Sequence, residues 1–419
     1  MATHDEIMST RGRANIIRAA LELRVNGHDP LRSAELDAAL SNCLSCKGCT
    51  PECPSNVNLA LLKAELMHAR YQRDGLPLRE NILSNIDLLG KIGCAMPALA
   101  NRVLNYRPVR FAMEKTIGLS ARRSLPHYAK ERFDRWFVKH AVAGIVDPGR
   151  SLMAAMRRTA GVTDPGYSRG PVILWDDTFV RYHEPHIGIA AVKVLEALGF
   201  EVSLVENRRC CGRPAFSQGN LDAASKLARH NISQLSTLNF QPSAPPILFL
   251  EPSCWSMFVE DYRELRIGNA EKIANRCFLF EKFVADLLEH EADALHFKHS
   301  SASAEGLRHD TETTIAIHPH CHAKSIMNPA FMRRLAERLS GKKATVLDTA
   351  CCGMAGAFGA LAEKYDLSVQ VAQDLIDKLE NQGRETQIIA SGTSCRHQIS
   401  DLTNIRPKHM AEMLAEALP

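Results

Sequence analysis

The sequence has no apolar run fit to cross a bilayer. Its longest, near Ile247–Leu250, falls far short of the roughly 20 residues a spanning helix needs. The N-terminus lacks the long apolar region of a secretory signal. The formal net charge is only +4, so the chain as a whole does not read as a nucleic-acid binder. Without a signal, thirteen cysteines argue against a disulfide framework. Metal ligation in a reducing cytoplasm fits them better. The expected location is the cytoplasm, with the inner face of the cell membrane as a peripheral site. At 419 residues and 45% hydrophobic, the chain suffices for two or three domains with ample core.

What is present begins with Cys43-x-x-Cys46-x-x-Cys49-x-x-x-Cys53-Pro54. This is the spacing of a bacterial ferredoxin cluster loop. Three thiolates wrap one face of a cubane, and the fourth, fixed by the proline, points away toward a second cluster. Zinc usually takes paired C-x-x-C arms far apart. The reading is therefore iron–sulfur ligation by Cys43, Cys46, Cys49 and Cys53. The run is solitary: no second Cys-Pro lies upstream to supply a fourth ligand. Either Cys53 folds back to close a single site, or another chain supplies the missing half.

Helices are expected on both sides of this loop, through Ala34–Leu40 before it and from about Asn58 to Arg73 after it, with Gly75 as the stop. Residues 101–160 carry 13 Lys/Arg against 4 Asp/Glu, interleaved with Phe133, Trp136, Phe137 and Val138. This stretch reads either as a solvated helical connector or as a docking face for an acidic partner or anionic lipid headgroups.

From Val172 onward the chain repeats itself. Cys210-Cys211-Gly212 recurs as Cys351-Cys352-Gly353, and Cys254 recurs as Cys395, both 141 positions later. Each copy opens with a short apolar strand, Val172–Trp175 and Thr314–Ile317. Further strands are expected at Ala344–Leu347, Ile247–Leu250 and Gln387–Ala390, with helices such as Gly188–Leu198 between strands. Such alternation predicts two α/β units with parallel strands and pseudo-two-fold symmetry. The cysteines then fall at strand ends, where open α/β sheets place ligands.

The two copies differ chemically. In the second, Cys321 follows the first strand and joins Cys351, Cys352 and Cys395 as four thiolates, a set that suits a [4Fe–4S] cluster or tetrahedral zinc. Gly353, Gly356 and Gly359 allow close backbone approach, and His318, His320 and His322 are either donors to the site or ordinary loop histidines. In the first copy Thr178 stands where Cys321 would be. Cys210, Cys211 and Cys254 remain as weaker ligand candidates, with Asp177 or His183 as a possible fourth, and a degenerate site is the favoured reading. Cys94 and Cys277 lack matching partners and read as core residues.

The paired Cys-Cys-Gly pattern resembles that of glycolate oxidase iron–sulfur subunits and of the cysteine-rich subunits of anaerobic glycerol-3-phosphate dehydrogenase and heterodisulfide reductase. Met8–Asn15, Cys43–Cys49, Cys53–Asn56, Leu174–Phe179 and Cys351–Gly356 resemble the C-terminal, iron–sulfur part of FAD-linked D-2-hydroxy acid dehydrogenases. The resemblance implies one or two [4Fe–4S] clusters, more with a partner, and FAD only on a partner chain. It implies electron transfer from a D-2-hydroxy acid such as D-lactate, glycolate or D-2-hydroxyglutarate, through a FAD-binding dehydrogenase subunit, to a quinone or other acceptor. No catalytic acid–base residue is expected here. The alternatives are a heterodisulfide reductase-like thiol enzyme and a zinc-stabilised scaffold that binds a flavoprotein. Nothing in the chain resembles a flavin fold, and Met1 aligns inside the family's ferredoxin-like domain, which implies a split subunit or a fragment. The expected architecture is α/β. An incomplete helical ferredoxin-like half-domain covers 1–95 and a basic helical connector 96–169. A degenerate cysteine-rich (CCG) repeat follows over 170–305 and a second CCG repeat over 306–419.

Overall fold

The computed structural model describes residues 5–25, 29, 31, 33–143, 168–237, 244–298, 313–339 and 342–419. The distal part of the basic stretch, from residue 144, lies outside the described residues. The N-terminal part is helical: α1 (Thr10–Val25), α2 (Ala34–Ser41), α3 (Cys49–Glu52), α4 (Leu59–Asp74), α5 (Leu78–Ser84), α6 (Ile86–Gly93), α7 (Pro97–Asn105), α8 (Arg107–Ile117) and α9 (Phe133–Ala143). Local chemistry sets several of these bounds. The Ser33 hydroxyl accepts from Leu36 N at the start of α2, and Asn58 Oδ1 accepts from Leu61 N at the start of α4. Gly75 ends α4 with φ +87°.

Two parallel sheets follow. The first has the order β2-β1-β3-β4, from β1 (Pro171–Trp175), β2 (Glu201–Leu204), β3 (Ile247–Phe249) and β4 (Cys277–Leu279). The second has the order β6-β5-β7, from β5 (Thr313–Ile317), β6 (Lys342–Val346) and β7 (Gln387–Ile389). The sequence repeat is thus a structural one: β2-β1-β3 corresponds to β6-β5-β7, all parallel. Beside β7, where the first sheet has β4, Lys408 forms a single parallel bridge with Ile389.

The repeats are not separate globules. Helix Pro185–Ala197 starts with Pro185 at its first turn and buries Ile187, Ala190, Ala191, Val194 and Leu195. It is apolar on nearly every side, as a helix between two layers should be. It packs against helix Met410–Glu416, while helix Phe280–His290 packs against helix Ala330–Ala336. One continuous core takes in Val172 and Leu174 of the first sheet, Ile315 and Ile317 of the second, and Met410 and Leu414.

His409 pins this shared layer. Its Nδ1 accepts from Ala411 N at 3.0 Å, capping the last helix, and its Nε2 donates to the carbonyl of Leu250 in the first repeat at 3.0 Å. Burial holds the ring neutral, with a pKa of about 3. An unfolded histidine takes a proton near pH 6.5 and this one does not. The folded state therefore binds fewer protons, and stability falls as pH drops below about 6.5. The loss approaches about 1.4 kcal/mol per pH unit for such a group. Urea unfolding between pH 7 and pH 5 should show a steeper fall for the native chain than for His409→Gln; equal slopes would remove His409 from this role.

Candidate iron–sulfur site

In each repeat the cysteine pair is followed by a glycine in the left-handed region, Gly212 at φ +89° and Gly353 at φ +85°. That turn aims backbone N–H groups at sulfur. Gly353 N lies 3.5 Å from Cys351 Sγ, and Met354 N serves Cys352. Gly212 and Arg213 do the same for Cys210 and Cys211. Gly353 is also sterically required, because a Cβ there would stand 2.3 Å from the carbonyl oxygen of Ser368.

The second repeat brings its four cysteines together. Cys321 opens helix Cys321–Ile326 just beyond β5, Cys351 and Cys352 follow β6, and Cys395 lies in helix Thr393–Leu402 beyond β7. Cys351 contacts Cys321 and Cys352, and Cys352 contacts Cys395. A fifth thiol enters from far away in sequence. Cys46, in the N-terminal run, faces Cys351 and lies within electrostatic reach of Cys321. Cys43 and Cys46 in turn lie close to Cys49. The run and the second repeat thus form one continuous patch of sulfur. The neighbouring Cys351 thiol and burial push Cys46 and Cys321 well above the usual thiol range. Cys53 stands apart, and N–H groups of Val57, Ser55 and Asn56 draw its thiol down.

Two contacts fix the run in this position. Lys47 is buried, with Nζ 2.7 Å from Glu260 and 2.9 Å from Asp261, both following Cys254 in the first repeat. His322 accepts or donates at both ring nitrogens, to Ser256 Oγ at 2.9 Å and to the carbonyl of Ser45 at 3.1 Å. One ring therefore joins both repeats and the cysteine loop. Ser45 and Lys47 adopt φ +51° and +60°. Left-handed backbone costs roughly 1–2 kcal/mol at such residues, and these contacts hold the loop there. Of the other histidines, His320 Nδ1 caps its own helix by accepting from His322 N, and His318 Nδ1 meets Thr349 Oγ1. His322 is thus a structural staple with both nitrogens engaged.

The first repeat is arranged differently. Cys211 and Cys254 are buried with their sulfurs 3.0 Å apart, and Cys210 adjoins Cys211. At the position matching Cys321, Thr178 donates its hydroxyl to Asp87 at 2.8 Å. The fully buried Arg208 guanidinium donates to that same carboxylate at 2.7 Å and to Asp176 at 3.4 Å, and lies near Cys210. A fixed cation thus lies beside these thiols. Asp177 caps Phe179 and Val180, and burial with Glu251 nearby pushes it up to about 7. His183 points elsewhere, bonding the carbonyl of His127 at 3.0 Å. Cys94 and Cys277 are buried and bond the carbonyls of Tyr182 and Ile273.

Among the described residues no group of Cys, His, Asp and Glu is gathered tightly enough for a single metal ion; the thiols close on one another instead. An all-sulfur, buried donor set with backbone N–H groups at the sulfurs fits an iron–sulfur group. The profile of the CCG cysteine-rich domain matches residues 178–258 and 315–400. The α/β part of the chain consists of two CCG cysteine-rich domains. The chain is 26% identical over 365 residues to the C subunit of anaerobic glycerol-3-phosphate dehydrogenase from Escherichia coli, covering 87% of this chain and 83% of that protein. It is 26% identical over 391 residues to D-2-hydroxyglutarate dehydrogenase of Pseudomonas putida, covering 92% of this chain but only 35% of that protein. Lactate utilization protein A of Bacillus pumilus is 27% identical over 244 residues, 55% of this chain and 93% of that protein.

Sequence reasoning missed Lys47, Arg208 and Asp87. The one available signal was a lone lysine inside a ligand run. Lys47→Met takes the ammonium from half-buried Glu260 and from buried Asp261, which keeps Arg213, a change worth up to about 3–5 kcal/mol, felt locally because the loop can swing out. In metal-free protein, alkylation of Cys46 should rise about 100-fold while the CCG cores keep their amide protection. Unchanged Cys46 reactivity would show that Lys47 does not hold the loop.

Proposed function

We propose that this chain is an iron–sulfur electron carrier serving a FAD-linked dehydrogenase on a partner chain. The observation that carries this reading is the meeting of Cys46 with Cys351, which itself adjoins Cys321 and Cys352. A ferredoxin-type run and a CCG site that touch offer electrons a short path. Cys43, Cys46 and Cys49 would hold one [4Fe–4S] group, and Cys321, Cys351, Cys352 and Cys395 a second. Such groups accept and release single electrons. Cys53, apart from the others and facing N–H donors, is free to ligate a group completed by the partner. The chain's own residues set the spacing, exclude water and aim backbone dipoles at sulfur. The partner's substrate would be a D-2-hydroxy acid, since relatives include a D-2-hydroxyglutarate dehydrogenase and a lactate utilization protein. The first repeat serves as a scaffold, with Arg208 in place of a cluster.

Cys352→Ser should lower iron and sulfide by about one cluster and remove its EPR signal, whereas Cys211→Ser should leave iron content unchanged. Equal loss from both would overturn the assignment of roles to the two repeats. Zinc without sulfide in the native chain would overturn the carrier reading itself.

The second part of the reading concerns where the carrier works. No helix among the described residues is long and apolar enough to cross a membrane. Helices α6 to α8 instead expose Leu88, Ile92, Met96, Leu99, Val103 and Phe111, with Ile92 61% and Phe111 60% accessible. Lys91, Arg102, Arg107 and Lys115 lie among them, and Lys115 sits over the Phe111 ring at 5.5 Å. Apolar side chains rimmed by basic ones suit the cytoplasmic surface of an anionic bilayer. Vesicles rich in phosphatidylglycerol should sediment the protein, neutral vesicles much less. Ile92→Asp with Phe111→Asp should weaken binding at least tenfold. Binding unaffected by lipid charge and by both changes would exclude this face.

A further inference from the structure

A cleft of about 280 Å³ opens where the two repeats meet the segment after α8. That segment contributes Pro126 and His127, and the first repeat Phe179, His183 and Glu184. Helix Thr393–Leu402 and the turn beyond it supply the rest. The cleft sits at the low end of ligand pockets, which run from roughly 300 to 1,000 Å³. It suits a small organic molecule rather than a nucleotide. Its lining contains no cysteine, so it stands apart from the iron–sulfur assignment.

Two arginines in the lining decide the charge of its ligand. Arg396 places Nε 3.1 Å from Glu184 Oε1 and Nη2 2.6 Å from Oε2. Its Nη1 donates to the carbonyls of Ala390 and Ser391. The Nε–Nη2 edge is a fork whose two parallel N–H groups match a carboxylate, and Glu184 fills it here. Arg406 repeats the arrangement with the fork empty. Its Nη1 donates to the carbonyls of Ser400 at 3.1 Å and Ile405 at 3.3 Å. Its Nε and Nη2 have no partner among the described residues. Asp401, within electrostatic reach of His397, is taken by Arg123 at 3.2 Å and by the Ser124 hydroxyl. Glu184 and Arg396 cancel, so the lining keeps the Arg406 charge in excess.

His397 and Ser400 add donors beside it. They are three residues apart on one helix face, and both line the cleft without a side-chain hydrogen bond among the described residues. The remaining lining is flat and apolar. His183 sits between Phe179 and Tyr128, with ring centroids 5.6 and 5.0 Å away, and Pro126 and Pro407 extend this wall. His183 Nδ1 donates to the carbonyl of His127, so the neutral ring offers no proton to the cleft and serves as wall. We propose that this cleft binds a small organic monocarboxylate, its head on the Arg406 fork and its apolar body against Phe179 and His183. A neutral ring would leave the fork unused. A dianion such as phosphate would bring a second charge beside Glu184 with no second unpaired guanidinium in the lining to balance it. The ligand touches both repeats and the segment after α8, and so ties three parts of the folded chain together.

The test is titration calorimetry on the full chain as purified, with acetate, butyrate, benzoate, benzamide and inorganic phosphate. Benzoate should bind saturably at millimolar concentration or below, more tightly than acetate, and raise the melting temperature. Benzamide keeps the ring and loses the charge, and should bind at least tenfold more weakly, as should phosphate. Arg406→Gln and Arg406→Lys should each weaken benzoate binding tenfold or more, the second because an ammonium keeps the charge but not the fork. Arg406 is exposed, so neither change disturbs the core. Ser400→Trp, which fills the cleft, should abolish binding, while Arg263→Ala, in a separate surface hollow, should leave it unchanged. Equal affinity for benzamide and benzoate would make this a site for neutral rings and overturn the proposal. Tighter binding of phosphate, binding untouched by both Arg406 changes, or no saturable binding of any of the three carboxylates would overturn it equally.

Discussion

The docking of the Cys43–Cys53 loop into the seam between the two repeats is the constraint on which the rest depends. It is held by a buried lysine on one side and a doubly bonded histidine on the other. A buried ammonium is costly unless paired, and here two carboxylates meet it. The charge pair therefore specifies one position for the loop rather than adding much net stability. The left-handed residues Ser45 and Lys47 fit the same logic, since strained backbone persists where surrounding contacts over-determine it.

The pseudo-symmetry explains why this seam exists. Duplicated parallel sheets present their strand ends side by side, and helix Pro185–Ala197 with helix Met410–Glu416 closes the layer between them. Polar pins then cross at matching places. Glu251 caps its own helix through Ser253 N and also accepts from Thr393 N of the other repeat at 2.8 Å. Glu184 holds Arg396 in the same way, and that guanidinium keeps the carboxyl down at about 2 against its burial. Besides the extra strand β4, the symmetry breaks where chemistry is at stake. Thr178, Arg208 and Asp87 fill with a fixed ion pair the place that sulfur takes in the second copy. A guanidinium cannot give up its charge, so it neutralises buried acids without any redox role.

Much of this was legible in the sequence because the signals are local. Strand–turn–cysteine order follows from short apolar runs and from a glycine that must turn left, so both repeats and their parallel sheets, apart from β4, could be placed from spacing alone. The thiols of Cys321, Cys351, Cys352 and Cys395 fall together for that reason. What could not be read was non-local. No pattern places Cys46 against Cys351, because that contact depends on how a helical segment lies across a seam built much later in the chain. The burial of Lys47 and Arg208 was hidden likewise. Their partners, Glu260, Asp261, Asp87 and Asp176, are ordinary acids in sequence and become specific only when the fold brings them inside. The histidines around Cys321 had two open readings, and the structure resolves His322 by filling both of its nitrogens.

Rigid placement matters more for a carrier than for most proteins. A group that takes and gives single electrons performs no bond making of its own, so the protein contributes distance, dielectric and fixed dipoles. All three come here from the same devices. The shared core fixes the repeats relative to each other, and the pinned loop fixes the run relative to the second repeat. The cysteine-pair turns fix N–H groups at sulfur. Loosening any one of them would lengthen the path or admit water, even with every cysteine still present. In the proposed carrier, the non-cysteine residues Lys47, His322 and Gly353 would therefore fix the electron path as much as the thiols that would ligate the metal.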